Sequence, residues 1–166
     1  MGSEVERVVK YKYLGTVMSS DLSWTANTQN LCSKARQRLF FLRKLSQFRV
    51  DRSILLLFYQ SVVQSMAIFG FLVWWRALTV KDKKLVQSIH RAASKIIGCS
   101  LPTIDSIYTQ RVVKKVKNIL SDDTHPLKQW FNLLPSGRRI RSAIARTVRL
   151  NNSVISQAIV TYNKSN

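Results

Sequence analysis

The residues in this sequence that could do chemistry are few among the acids and abundant among the bases. Phosphoryl transfer needs two or three carboxylates gathered on metal ions, and the eight acids here are scattered. Asp122 and Asp123 are adjacent, but they sit between an apolar run and His125-Pro126, where a helix terminator is the simpler reading. An iron site needs two histidines and a carboxylate on one face. His90 falls in a helical pattern and His125 in a turn, with nothing to bring them together. Cys32 and Cys99 make neither a disulfide framework nor a four-cysteine zinc site. Gly15, Gly98 and Gly137 stand alone, so no phosphate loop of the nucleotide-binding type is present. The sequence therefore assigns no catalytic residue, no metal ligand and no cofactor.

The bases tell more. Lys and Arg number 27 against 8 Asp and Glu, a formal net charge of +19 and a sequence pI near 10.8. Self-repulsion on this scale points to a polyanion, with nucleic acid first and an anionic membrane surface second. The cations fall in four clusters, at 34–52, 81–95, 111–117 and 138–149. One such run is ordinarily a solvated face; four with few acids between them suit phosphate. The candidate contacts are Lys34, Arg36, Arg38 and Arg43, then Lys84, Arg91 and Lys95, then Arg138, Arg139 and Arg141. Arginine dominates the last cluster, which favours forked phosphate contacts over diffuse attraction. Phe40 and Phe41, beside Arg38 and Arg43, are either core residues or stacking surfaces for bases.

These side chains need elements to position them. The chain has 166 residues, 46% of them hydrophobic, enough for a modest core. Four Trp, seven Phe and five Tyr exclude disorder for most of it. In 5–18, Val9, Tyr11 and Tyr13 alternate with Lys10 and Lys12, predicting a strand that ends near Gly15. A turn at Ser19-Ser20-Asp21 then leads to a second short strand with Leu22 and Trp24.

Beyond Ala26 the period becomes helical. Leu31, Ala35, Leu39 and Leu42 form an apolar stripe, with Arg36 and Arg43 on one flank and Lys34 and Arg38 on the other. Asp51 is the N-cap of a second helix running to about Trp75. Thr79-Val80-Lys81-Asp82 opens a third, which stops at Gly98, with a core stripe of Leu85, Ile89, Ala93 and Ile96. A fourth follows Pro102 and ends near Leu120, and Pro135-Ser136-Gly137 is a turn. From Asn151 the chain is polar and poor in signals.

The fold expected is mainly α, a basic helical bundle preceded by a short β hairpin. Its parts would be a hairpin at 1–25, a helical bundle at 26–98, a basic helical segment at 99–150 and a tail at 151–166. The stretch 53–75 carries no charge over 23 residues, long enough for a membrane span. Gln60 and Gln64 one turn apart favour a buried helix instead, and the span stays as an alternative. With no basic-then-apolar opening, an intracellular location is expected, in the nucleus or cytoplasm.

Read as strings, the segments resemble one family. Tyr11-Lys12-Tyr13-Leu14-Gly15, Asp21-Leu22-Ser23-Trp24 and the run from Lys34 to Arg43 resemble the end of the reverse transcriptase of LINE-type non-LTR retrotransposons. The likeness continues through Phe58-Tyr59, Trp74, Asp82, Ile97-Gly98, Leu101-Pro102, His125-Pro126 and Leu134-Pro135-Ser136-Gly137-Arg138-Arg139. It implies the end of a polymerase palm, then a thumb holding a template–primer duplex, then a post-thumb region contacting RNA or target DNA. Lys10 and Lys12 would touch the primer strand. The implied partners are RNA, an RNA–DNA hybrid or DNA, together with the rest of a reverse transcriptase. The fingers and catalytic aspartates would lie upstream, so the chain alone would be no enzyme. A second, weaker likeness joins the helix around 35–45 to the N-terminal module of the eighth AlkB homologue. The iron ligands and methyl-donor fold of that protein are absent here, so a retroelement remnant bearing that label, without its chemistry, is a further alternative.

Overall fold

The computed structural model describes residues 6–142 and 145–165; Val5, the expected start of the first extended segment, lies outside them. The architecture is mainly α with a short antiparallel hairpin in front, as the periodicity predicts. Strand β1 (Lys10–Tyr13) pairs with β2 (Thr16–Ser19), Lys10 opposite Ser19 and Tyr13 opposite Thr16. The chain reverses between them at Leu14-Gly15, where φ is +45° and +85°. A two-residue loop with both φ positive matches the twist of the strands it joins. The second strand is therefore Thr16–Ser19, without Leu22 or Trp24. Leu22 follows the turn at φ +57°, and Trp24 stands at the N-cap position of the first helix.

The chain divides into two units, the first comprising Met1–Gly70 with Leu78–Leu101 and the second Phe71–Ala77 with Pro102–Asn166. In the first, α1 (Thr25–Gln47) buries Leu31, Cys32, Ala35, Leu39 and Leu42. It packs chiefly against α5 (Val80–Ile97). The two helices run parallel. The Thr25 hydroxyl donates to Asp82 Oδ2 at one end (2.8 Å), and the Ser46 hydroxyl donates to the Ile96 carbonyl at the other (3.3 Å). Thr79 caps α5 and Gly98 closes it in the left-handed region, φ +74°.

The buried face of α5 is Asp82, Val86, Ile89, His90, Ala93 and Ile97, whereas Leu85 and Ile96 of the expected stripe are half-buried at its edge. The pinning of Asp82 turns position 82 inward and rotates the stripe with it. His90 is buried on this face, with Nδ1 2.8 Å from the Tyr59 hydroxyl. Burial raises the Tyr59 phenol above its ordinary pKa and pushes the Cys32 thiol up to about 11.

The long helix expected after Asp51 is broken. Asp51 caps α2 (Arg52–Phe58) by accepting from the Ser53 amide. A π stretch follows (Tyr59–Gln64), then α3 (Ser65–Ala67) and α4 (Phe71–Trp74), with Gly70 at φ +64° between the last two. The hydroxyls of Ser61 and Ser65 donate to the carbonyls of Leu57 and Ser61 four residues back, a competition with the backbone ladder that bends helices. Leu55, Tyr59, Val63 and Ala67 still form one buried stripe. No helix among the described residues is long and apolar enough to cross a membrane. The uncharged stretch 53–75 is divided between the two cores.

In the second unit, α6 (Ile104–Ser121) packs on α8 (Val154–Ser165), with α7 (Val148–Asn151) before it. Helix α8 stands where a polar tail is expected; behind the polar Asn151-Asn152-Ser153 its residues are half apolar, and Ala158, Ile159 and Tyr162 are buried. Phe71 meets the Tyr108 ring edge-on, with centroids 5.6 Å apart. The Trp75 indole donates to Asp105 Oδ1 at 3.1 Å.

Candidate nucleic-acid interface

The six aspartates all have partners within the fold. Asp21, Asp51 and Asp122 accept from nearby hydroxyls and amides at turns and a cap, and the Ser19, Ser53 and Thr124 hydroxyls hold their carboxyls below the ordinary range. Asp82 is buried under two threonine hydroxyls, Thr25 and Thr79, each donating at 2.8 Å. Asp105 accepts from Trp75, and Asp123 pairs with Lys128 at 2.8 Å. That pair is the single ion pair among the described residues, which include all 27 Lys and Arg. Apart from Lys128, no cation has a carboxylate partner among the described residues, and cations outnumber acids fifteen to five in the first unit and twelve to three in the second.

On α5 the positions 81, 84, 88, 91 and 95 follow a three–four spacing, so Lys81, Lys84, Arg91 and Lys95 share one exposed face with Ser88. The face is about 21 Å long, close to six steps of a duplex. Beside its start lies a groove of about 460 Å³ between α5 and α1, lined by Gln29, Lys81, Asp82, Lys84 and Ser88 among others. Steps of 100° carry the α1 wall from Gln29 to Arg36 and Arg43, both exposed. Helix packing thus brings Arg36, Arg43, Lys84, Arg91 and Lys95 to one side of the first unit. Lys81 belongs with them; its spacing from Lys84 is legible in the sequence, although its place in the capping box suggests only a structural role.

Lys34 and Arg38 lie on the opposite flank of α1, both half-buried. Arg38 Nη1 donates to the Val62 carbonyl of the π stretch at 2.7 Å, a structural bond at a residue expected to meet phosphate. Lys10 and Lys12 are exposed on β1, and the Tyr11 and Tyr13 rings stack 6.5 Å apart. Phe40 and Phe41 are 54% and 57% exposed, so of the two readings open for them, core is excluded.

In the second unit, Arg138, Arg139 and Arg141 sit on a tight hairpin. Leu133 pairs with Ile140, the Leu134 amide donates to the Arg139 carbonyl (2.7 Å), and Gly137 supplies φ +69° at the tip. Asn163 of α8 holds the returning strand at both backbone groups of Ile140: Oδ1 accepts from its amide at 2.8 Å, and Nδ2 donates to its carbonyl at 2.9 Å. All three arginines are exposed while Ile140 is buried between them. No sequence signal marks Asn163, because its partner lies 23 residues away. Replacing Asn163 with Ala removes both bonds, and tryptic cleavage at 138–141 is expected to quicken about tenfold, a loss of roughly 1.5 kcal/mol of local stability. Unchanged cleavage, followed by mass spectrometry, would show that the hairpin holds itself.

Residues 24–65 match the family model described as alkylated DNA repair protein alkB homolog 8, N-terminal. The matched stretch starts at the N-cap position of α1 and ends at Ser65, just past the π stretch, and covers about a quarter of the chain. No curated protein and no solved structure matches this chain.

Proposed function

We propose that this chain binds RNA or an RNA–DNA duplex through the phosphate backbone, with little dependence on sequence. The observation that carries this reading is the uncompensated charge: 27 Lys and Arg with one ion pair among the described residues, and an ordered cationic face along α5 and α1. A protein surface this basic, with its aspartates engaged in caps, turns and side-chain bonds, is suited to exchange condensed counterions for phosphate contacts. The resemblance of the chain to the end of a LINE-type reverse transcriptase supplies the setting. Here α1 and α5 serve as the thumb that grips a template–primer duplex, and catalysis belongs to the palm residues that the resemblance places before the β1–β2 hairpin. The match at 24–65 supports a relation to the AlkB-homologue-8 N-terminal family over α1, α2 and the π stretch, and no dioxygenase or methyltransferase chemistry follows from it.

Titration of the purified chain with an RNA–DNA hybrid, single-stranded RNA and duplex DNA at several salt concentrations tests the proposal. Six to ten phosphate contacts predict an affinity loss of about 10³–10⁵ between 50 and 200 mM salt, starting from submicromolar binding near physiological salt. Weak binding that is equal for all three and vanishes with modest salt would leave the charge as inherited composition in a folded remnant.

A further inference from the structure

A second groove opens on the other flank of α1, about 580 Å³ in volume and lined by Arg38, Phe41, Lys44, Leu45, Phe48 and Phe58 among others. Phe41 and Phe48 are 57% and 78% exposed there, a large aromatic surface for a chain to leave in water. No carboxylate lines it, and Arg38 and Lys44 supply positive charge at its wall. Its lining residues all fall within 24–65, so the family-matched stretch builds it without help from the rest of the chain. Lys44 lies one turn beyond Phe40 with its ammonium 5.7 Å from that ring, and Phe40 borders the side that carries Arg36 and Arg43. A strand leaving the cationic face at Arg43 can therefore reach the groove around a single turn of α1.

We propose that this groove holds unstacked bases of a single-stranded nucleic acid, with Phe41 and Phe48 as stacking surfaces and Lys44 on the adjoining phosphate. This assignment rests on the nucleic-acid function proposed for the chain and adds to it a single-strand site distinct from the duplex grip. Aromatic platforms beside cations are the means by which proteins hold single strands regardless of sequence. A pocket of this volume has room for a nucleotide. A second copy of the chain is a poor occupant, since each copy carries +19.

The test uses a short single-stranded RNA carrying one 2-aminopurine, and a blunt RNA–DNA hybrid of the same sequence. Each is titrated against the wild type, Phe41→Ala, Phe48→Ala and Phe41→Trp. Both phenylalanines are exposed, so the variants retain the fold, which circular dichroism checks. The wild type and Phe41→Trp are expected to change the 2-aminopurine fluorescence at saturation; the alanine variants are not. The single-strand Kd rises about 5- to 150-fold for each base left unstacked, while hybrid affinity stays the same. The salt slope also holds, because a phenyl ring releases no counterion.

An unchanged single-strand Kd overturns the groove assignment, and so does an equal loss on both substrates. Hybrid binding together with the first of these outcomes leaves the duplex grip standing. Phe-dependent single-strand binding without hybrid binding does the reverse. An acidic amphipathic helical peptide is titrated in parallel, and saturable binding abolished in Phe41→Ala would assign the groove to a protein partner instead.

Discussion

Reversing Lys84, Arg91 and Lys95 to Glu together is expected to raise the Kd for an RNA–DNA hybrid on the order of 10²–10³-fold near 0.1 M salt. Each cation withdrawn from a phosphate gives up close to one decade of counterion-driven affinity at that salt, and the new carboxylates add repulsion. The slope of log K against log salt should fall by about three, roughly 0.9 per phosphate. The three side chains are exposed on one face of α5 and none has a carboxylate partner, so the fold loses no bond when they change. Filter binding across a salt series reads both quantities. A Kd within twofold of wild type, with the slope intact, would remove α5 from the interface and leave the +19 charge unexplained by it. The same reversal at Arg138, Arg139 and Arg141 tests the second unit separately, and a comparable flattening is expected there.

Replacing Trp75 with Ala is expected to cost about 3–5 kcal/mol, a large fraction of the stability of a small domain. Trp75 is 0% exposed, and its indole donates to Asp105. A Phe at this position keeps most of the apolar volume and gives up that hydrogen bond, so its cost should be near 1 kcal/mol. Urea unfolding followed by far-UV circular dichroism separates the two, with the midpoint shifting and the slope held. Trp75 also closes the uncharged stretch 53–75. A Trp75→Ala protein with an unmoved midpoint would mean that this stretch does not form a water-excluded core, and would reopen the membrane-span alternative.

Much of this architecture is written in local patterns. The caps at Asp51 and Thr79 act through side chains two or three residues from the amides they satisfy, so short strings reveal them. The apolar stripe of α1 and its two basic flanks also follow from helical register alone. Where structure and expectation part, a distant partner or a weak local signal decides the outcome. The α5 stripe is rotated because Thr25 bonds Asp82 across 57 positions. The long helix after Asp51 breaks where serine hydroxyls and Gly70 compete with the ladder, and neither is a strong signal inside an apolar run. Helix α8 is half apolar, but it has no capping string like those of α2 and α5 to mark its start, and it forms with α6 as its packing surface.

The surplus of bases over acids was set by the sequence alone, since net charge does not depend on fold. The predominance of helix was set there too, because a 3.6-residue period survives any packing. Which cations share a surface was decided only by tertiary structure. Register places Arg36 and Arg43 on one flank of α1, but only the parallel packing on α5 lines them up with Lys84, Arg91 and Lys95. The fate of Phe40, Phe41 and Phe48 was also decided there, because whether an apolar ring becomes core depends on what another element covers. Here the covering elements took Leu39 and Leu42 inward and left those rings in solvent.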